Sequence, residues 1–561
     1  MSRKLVLDSE TTTTHDHIWM VGLYIPKEDK YIQCESADEL AAELQDGDEV
    51  IMHNGIDFDY PVIAKVWTAF TWPDIKVVDT LVMSRLWCPT LLGGHSLKEW
   101  GKRLGDSKGD FTDFNEPADT EDWDEWQTRM GVYMEQDCRL TWRLHEHLLS
   151  VMRKFQVTRA ALDLEHEVQW VVSDQVRNGM HFNLSKAQDL YAVLCAKRQP
   201  ILEAMQLEFP PITTQRWSEK TGKQLKDKVE VFNPSSPPQI ARRLQARGVV
   251  FTEFTEKTGA VMINNDILEE ITHPAAASIK EYMMLGKRIS QFDQWFEHLD
   301  PITHRIHGRV NSMGAGTYRM TQFKPNLAQI PATGKPYGRE CRELFDVAEG
   351  NVLLGCDASG LELRCFASAT GNEDYIKIVT EGDPHQYHAD LLGVSRTVAK
   401  TFIYAFIYGA GNGKLGSIVG GVGADARALF LERLIGLQEL KDKIEQQASK
   451  GFVEGLDGRR IRTKEVYSAL NYRLQSDGAL VMKKAAVNCH HYINTHWLMA
   501  PTKPMQVVAA HDEWQFEVLP EAAEHLGSLA VAAIEQAGRD FNMACPMTGE
   551  YMIGQSWAET H

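Results

Sequence analysis

Apolar residues in this chain come in short runs, and several of those runs stop at a carboxylate. Leu5, Val6 and Leu7 lead into Asp8 and Glu10, while Val50, Ile51 and Met52 lead through His53 and Asn54 to Phe58 and Asp59. Further along, the run 352–356 stops at Asp357, and the run 507–510 stops at His511 and Asp512. A short apolar run bounded by polar residues reads as a buried strand, so each of these acids is expected at or just beyond a strand end. Other stretches carry helical spacing. Tyr133 and Asp137 stand one turn apart, and Arg396, Lys400, Tyr404 and Tyr408 follow at intervals of four, a slowly rotating stripe of two cations and then two rings. Gly409, with Gly411 and Gly413 beyond it, is expected to end that helix where the chain needs a positive φ or close backbone approach.

The punctuation between these segments sets the organisation. Residues 1–150 read as an α/β region with early strands, a helix signal at 95–100 and a helical end through 140–151. Residues 151–300 read as largely helical, interrupted by the proline-biased turn chemistry of 233–238. Sheet is expected in 301–372 and 473–561, and helix in 373–472, where Asp457-Gly458 reads as a hairpin turn. The 561 residues suffice for roughly three to four domains, each able to bury a core.

The chemistry follows from which acids share an end of the sheet. Asp357 and Asp512, carried by two adjacent strands, would face one pair of divalent cations. Phosphoryl transfer uses such pairs, roughly 3.5–4 Å apart, to stabilise the attacking and leaving oxygens. On the helix, Arg396 and Lys400 would meet a triphosphate, and Tyr404 and Tyr408 the base and sugar. The three strings together read as a nucleotide-polymerising site. A second set of acids, Asp8, Glu10, Asp59 and Asp137, suits two hard cations with oxygen ligands. Taken singly, each string has a plainer reading: a D-x-E is a solvated turn, Tyr133 with Asp137 a helix-face hydrogen bond, His-Asp-Glu a loop, and an Arg/Lys helix face merely solvated. Six such strings in this order, at spacings that fit two domains, favour the polymerase.

The strings 357–362, 396–409 and 511–513 resemble motifs A, B and C of family A DNA polymerases, the family of bacterial DNA polymerase I. The wording DASGLELR and KTFIYxFxYGAG is closest to replicative polymerases of short-tailed phages, and the resemblance covers nearly the whole chain. It implies an α/β and α+β multidomain fold: a ribonuclease-H-like 3′→5′ exonuclease domain over 1–150, then a right-hand polymerase with thumb 151–300, palm 301–372 and 473–561, and fingers 373–472. It implies template-directed, primer-dependent DNA synthesis with proofreading, two Mg²⁺ per site and Mn²⁺ as a substitute. Asp357 and Asp512 would hold metal, Glu513 would tune the site, and Lys400 would also protonate pyrophosphate. Glu362 with Tyr408 would crowd the ribose 2′ position, and His385 would lie near the triphosphate. Arg319, Asn471, Gln475 and His511 would contact primer and template. In the exonuclease site Asp8, Glu10, Asp59 and Asp137 would bind metal and Tyr133 would orient water. One departure is Tyr467, which stands where the bacterial pattern has an arginine; His490 and His491 have no partner readable from sequence. Two other classes fit less well: a single-subunit RNA polymerase lacks both an exonuclease domain and the glutamate at 362, and a non-catalytic replisome scaffold would have lost carboxylates.

Charge and cysteines refine the picture. A net charge of −18 argues against a uniformly basic nucleic-acid binder and leaves room for local basic surfaces. Residues 106–125 hold nine acids and one lysine and read as a solvated insert. Arg216, Lys220, Lys223, Lys226, Lys228, Arg242, Arg243 and Arg247 form a basic stretch expected to grip the duplex backbone. Nine cysteines without a C-x-x-C fit a reducing compartment, and no signal peptide or long apolar span is read, so a host-cell cytoplasm is expected. The expected partners are primer-template DNA, deoxynucleoside triphosphates and a replicative helicase or other replisome protein, with no membrane, as a monomer. Residues 210–230 are short beside the insertion with which phage relatives recruit thioredoxin, so no thioredoxin is expected.

Overall fold

The computed structural model describes residues 2–106, 111, 114, 122–255, 258–434, 436–463 and 465–561; most of the acidic stretch 106–125 lies outside them. The chain forms two compact units, one of Met1–Gly179, Gly308–Gln329 and Ala348–His561, the other of Met180–His307 and Ile330–Val347.

The first unit opens on a five-stranded sheet of β1 (Lys4–Thr11), β2 (Ile18–Ile25), β3 (Lys30–Cys34), β4 (Glu49–Met52) and β5 (Lys76–Asp79), in the order β3-β2-β1-β4-β5. Strands β2 and β3 run antiparallel to their neighbours, whereas β4 and β5 run parallel to β1. The central strands are apolar on both faces because both are covered. Leu5, Leu7, Val50 and Met52 join one core cluster with Ile63 of α1 (Asp59–Val66), and Val6 and Ile51 join another with Cys138 and Leu144 of α2 (Trp123–Lys154). The next helix, α3 (Arg159–Asn178), is capped by Thr158, whose side chain accepts from the Ala161 N–H.

The second sheet of this unit is β6 (Val352–Ala358), β7 (Met505–Ala510), β8 (Glu513–Val518) and β9 (Gly549–Gly554), in the order β7-β8-β6-β9 and antiparallel throughout. The side-chain period of two sends Leu354, Cys356, Trp514 and Phe516 to a core shared with Phe402 and Phe406, and leaves Gly355, Asp357, Glu513 and Gln515 on the other face. Each large apolar side chain so buried contributes about 1.5–3 kcal/mol. Five helices complete what positions the sites: α4 (Leu361–Thr370), α5 (Pro384–Leu392), α6 (Arg396–Ile407), α7 (Ala469–His496) and α8 (Pro520–Asp540). The hairpin Phe452–Glu454 with Arg460–Arg462 turns at Asp457-Gly458 as expected, with Gly458 at φ 79°.

Two expectations need correction. The runs ending at Asp357 and Asp512 are not neighbours, since β8 lies between β6 and β7. Asp512 reaches Asp357 from the β7–β8 turn. In the second unit, Met205, Ile240, Leu244 and Ile279 bring helices together in a core that Phe232 of the preceding loop joins, but Ile212–Trp217 and Gln224–Glu230 form an exposed two-stranded hairpin. Threonines, Trp217 and Val229 favour strand there, a preference masked by attention to charge. Only part of the basic stretch is open: Arg242 pairs with Glu230, buried Arg243 packs on the Phe232 ring, and Arg247 packs on Phe209 and donates to the Glu208 carbonyl. No helix among the described residues is long and apolar enough to cross a membrane, and all nine cysteines are free.

Candidate active sites

The end of β6 carries the first site. Gly355 is required beneath it, because a Cβ would run into the Thr560 carbonyl and the Gln515 amide. Asp357 pairs in register with Glu513, and the Ala358 N–H donates to the Asp512 carbonyl at 3.0 Å, which stitches the β7–β8 turn to the strand end. His511 makes that turn at φ 62°. Desolvation, then the charges of Asp512 and Glu513, push the Asp357 carboxyl up to about 7. Burial raises Asp512 as well. Clustered carboxylates in a partly dry bowl favour protonation until a cation joins them. Glu513 is spoken for: the Trp557 indole N–H donates to it, the Gln515 amide donates at 2.7 Å, and His561 Nδ1 lies 2.8 Å away.

A cavity of about 300 Å³ opens beside this pair, lined by Arg319, Leu361, Glu362, Tyr408, His511 and Asp512 among others. Glu362, in the first turn of α4, receives Arg319 Nη2 at 2.9 Å and the Tyr408 hydroxyl at 3.0 Å. Burial and Glu362 push the Tyr408 phenol up to about 12. The α6 stripe forms as expected, with Tyr408 at its C-cap, Lys400 exposed, and the Tyr404 ring centroid 6.4 Å from that of Tyr408 and 6.1 Å from that of His385. Arg396 is held by Asp383 at 2.7 Å; that ion pair lowers the Asp383 carboxyl to about 2, and Asp383 also caps α5, where His385 sits in the first turn.

Gly409 has φ 79°, and a Cβ on it would meet the Tyr467 carbonyl at 2.9 Å. Gly411 and Gly413 fail the same expectation: Gly411 has φ −67° as the N-cap of Asn412–Val419, and neither has a neighbour near a built Cβ. Asn471 and Gln475 bond to each other at 2.8 Å on α7 and do not line the cavity, while Tyr467 is mostly exposed. His490 does have a partner, Asp174 at 2.9 Å, but the two are 316 residues apart in sequence, so the pairing is silent there.

The second site lies where β1 meets α2. Ligand oxygens of Asp8, Glu10 and Asp137 all fall within 4.8 Å of one another, a set of hard donors that fits a divalent cation. Tyr133 is half-buried one turn before Asp137. Asp59 does not join that group: its carboxylate accepts from the Ser9 N–H at 2.9 Å and the Ser9 hydroxyl at 2.6 Å. Burial raises Asp59 to about 6 against those bonds. Asp79 supports it indirectly, accepting from the N–H groups of Asn54 at 3.0 Å and Ile56 at 3.2 Å, in the loop that delivers Asp59.

Sequence reading missed Asp79, the Asp383–Arg396 and Arg319–Glu362 pairs, and the donors around Glu513. Only Asp79 and Asp383 carried a signal, each being an acid placed as a helix N-cap.

The sequence model of DNA polymerase family A matches residues 202–559. A DNA-directed DNA polymerase of Enterobacteria phage T3 is 30% identical over 93% of this chain and 94% of its own length. The DNA-directed DNA polymerase of Escherichia phage T7 is 30% identical over the same shares, 93% and 94%. The thermostable DNA polymerase I of Thermus aquaticus is 30% identical over 58% of this chain and 43% of its own. Among solved structures, the POL domain of Pol1 from M. smegmatis, in complex with DNA primer-template and dNTP, shares the fold with a TM-score of 0.79 at 19% identity, covering 100% of this chain and 96% of that one.

Proposed function

The chain belongs to DNA polymerase family A and is a DNA-directed DNA polymerase, and from that premise we propose a replicative enzyme of phage type that copies primed DNA by two-metal phosphoryl transfer and proofreads with a 3′→5′ exonuclease. The observation that carries the reading is the meeting of Asp357 and Asp512 beside the cavity that holds Arg319, Glu362 and Tyr408. In this reading residues 1–150 are the exonuclease domain, 151–300 the thumb, 301–372 and 473–561 the palm, and 373–472 the fingers.

Asp357 and Asp512 would hold two divalent cations, Mg²⁺ in this reading, which when bound would supply Lewis-acid stabilisation of the reacting oxygens. Arg396 and Lys400 take the triphosphate, with His385 beside them, and Lys400 delivers a proton to the departing pyrophosphate. Binding a triphosphate exchanges the Arg396 contact with Asp383 for one with phosphate. Tyr404 and Tyr408 meet base and sugar, and Glu362, fixed by Arg319 and Tyr408, blocks a ribose 2′-hydroxyl. Asn471, Gln475, Arg319 and His511 face primer and template. Glu513, its oxygens already bonded within the protein, tunes Asp512 rather than binding metal. In the second site Asp8, Glu10 and Asp137 would hold a divalent cation, Asp59 stays on Ser9 beside them, and Tyr133 orients water. The enzyme works as a monomer in a host cytoplasm without thioredoxin. Primer extension with each nucleotide type on matched and 3′-mismatched primers tests the whole reading: matched primers extend, mismatched ones are trimmed first, and absence of trimming removes the second activity.

A further inference from the structure

A separate cavity of about 260 Å³ lies in the first unit, where the end of the helix Thr80–Trp87, the residues following α2 and the 452–462 hairpin come together. None of the acids of the two carboxylate sites lines it. Its walls contain no aspartate or glutamate, in a chain that has 77 of them. They do contain Lys450, Arg460 and Arg462, together with the rings of Trp87, Phe155 and Phe452.

Among the described residues these cations have no carboxylate partner. Arg460 donates to the neutral amide of Gln156, and Arg462 to the Cys88 sulfur at 3.7 Å. Arg459, the residue just before them, shows what the same hairpin does with a structural cation: it is clasped by Asp457 at 2.7 Å and Glu165 at 2.5 Å and is buried. The open arginines instead lie on aromatic faces. The Arg462 guanidinium stands 5.6 Å from the Trp87 ring and 5.2 Å from Phe155, and Arg460 stands 4.4 Å from Phe452. A guanidinium laid on a ring keeps its charge and its in-plane donors while presenting a flat face. Uncompensated cations ask for an anion, and flat faces ask for a planar, aromatic body. A nucleoside phosphate offers both. The cavity is at or below the lower edge of the roughly 300–1,000 Å³ usual for small-molecule sites, so it suits one nucleotide rather than a folded segment.

We propose that this cavity binds a single nucleoside monophosphate unit, its phosphate on Lys450, Arg460 and Arg462 and its base on the aromatic wall. The unit comes either as a free mononucleotide or as one residue of a single DNA strand. The proposal stands whether or not the finer mechanism above is right, because it uses none of those residues.

The full chain is titrated in EDTA, which disables metal-dependent binding and hydrolysis elsewhere, with dTMP, a short oligothymidylate, an abasic strand of equal charge, and inorganic phosphate. Arg460→Ala and Lys450→Ala are compared with wild type, and their primer-extension activity reports that they fold. Loss of about tenfold or more in dTMP affinity in the variants assigns a free nucleotide. The same loss for the oligothymidylate alone assigns a strand. Arg462→Lys, which keeps the charge and removes the stacked plane, should weaken the base-bearing probes more than phosphate. Unchanged affinity for dTMP and oligothymidylate in all variants overturns the site, and an equal loss for the abasic strand or phosphate overturns the nucleoside assignment.

Discussion

The two carboxylate sites are built on opposite plans. At the site of Asp8, Glu10 and Asp137, together with Asp59, the residues Glu10, Asp59 and Asp137 are between 1% and 8% exposed, Ser9 holds the Asp59 carboxylate, and Asp79 braces the loop that carries it. At the polymerase-type site Asp357 stands exposed at a strand end, and the groups around it are occupied with each other: Arg319 and Tyr408 with Glu362, and Arg396 with Asp383. A buried, preset constellation avoids reorganisation at the moment of reaction. A site whose arginines are already paired instead requires its substrate to outcompete an internal carboxylate, which favours the full triphosphate over weaker anions. The contrast separates a set of acids that is largely preset from one whose neighbouring groups must first exchange partners.

The largest expected effect breaks the sites apart. Asp357→Ala or Asp512→Ala should lower synthesis by on the order of 10³ or more, roughly 4 kcal/mol of transition-state stabilisation, and leave exonuclease intact. Asp8→Ala with Glu10→Ala should do the reverse. Single-turnover extension and single-strand digestion on the same preparations decide it; a folded variant that lost both activities would sink the two-site reading.

Next comes the polymerase rim. Glu362→Ala removes the acceptor shared by Arg319 and Tyr408 and should raise ribonucleotide incorporation by about 10² relative to deoxynucleotides. Tyr408→Phe, which removes one of its donors and keeps the ring, should raise it far less. Equal effects from the two would mean that the hydroxyl, not the glutamate, guards the sugar.

How far the sequence reached follows the same divide. Strand ends and helical stripes depend on local periodicity, so Asp8, Asp357, Tyr133 and the α6 stripe could be placed from neighbouring residues alone. Partnerships across long separations leave no local mark: Glu362 with Arg319, His490 with Asp174 and Glu513 with Trp557 depend on which elements the fold brings together. The order of β7 and β8 was misjudged for the same reason, since an apolar run says that a strand exists and not which strand lies beside it. The 212–230 hairpin has little local mark because its strand formers Ile212, Thr213, Thr214, Trp217 and Val229 are interleaved with charges that read equally as a solvated surface.

A smaller effect sharpens the contrast at Arg396. Asp383→Asn keeps the helix cap and weakens the ion pair, so Arg396 should bind triphosphate more readily. Because the pair is exposed and screened by solvent, the effect should be small: the KM for a deoxynucleoside triphosphate should fall by no more than roughly fivefold, with kcat little changed. A higher KM would show that Asp383 orients Arg396 and does not compete for it.

The smallest effect is on stability, and its sign differs from that of an ordinary salt-bridged acid. Without metal, desolvation of its carboxyl in the bowl of acids, even with the residue itself exposed at the strand end, and the charges of Asp512 and Glu513 hold Asp357 at about 7, above the carboxylate value of the unfolded chain, so the folded state carries the extra proton in between. Its stabilising contribution is complete below the unfolded value and is lost as pH rises through about 7. Asp59, raised to about 6 by burial, loses its own contribution at lower pH, against the bonds from Ser9. In EDTA, Asp357→Asn should therefore raise the melting temperature at pH 8 and leave it nearly unchanged at pH 4, and Mg²⁺ should shrink the pH 8 gain by stabilising the wild-type carboxylate. Asp59→Asn should gain nothing comparable, because the amide cannot accept from Ser9 as strongly as the carboxylate does. Melting curves of the two variants with and without Mg²⁺ test this. If Asp357→Asn destabilised the metal-free protein at pH 8, the acids at the open rim would be held as firmly as those in the buried frame, and the contrast between the two plans would fail.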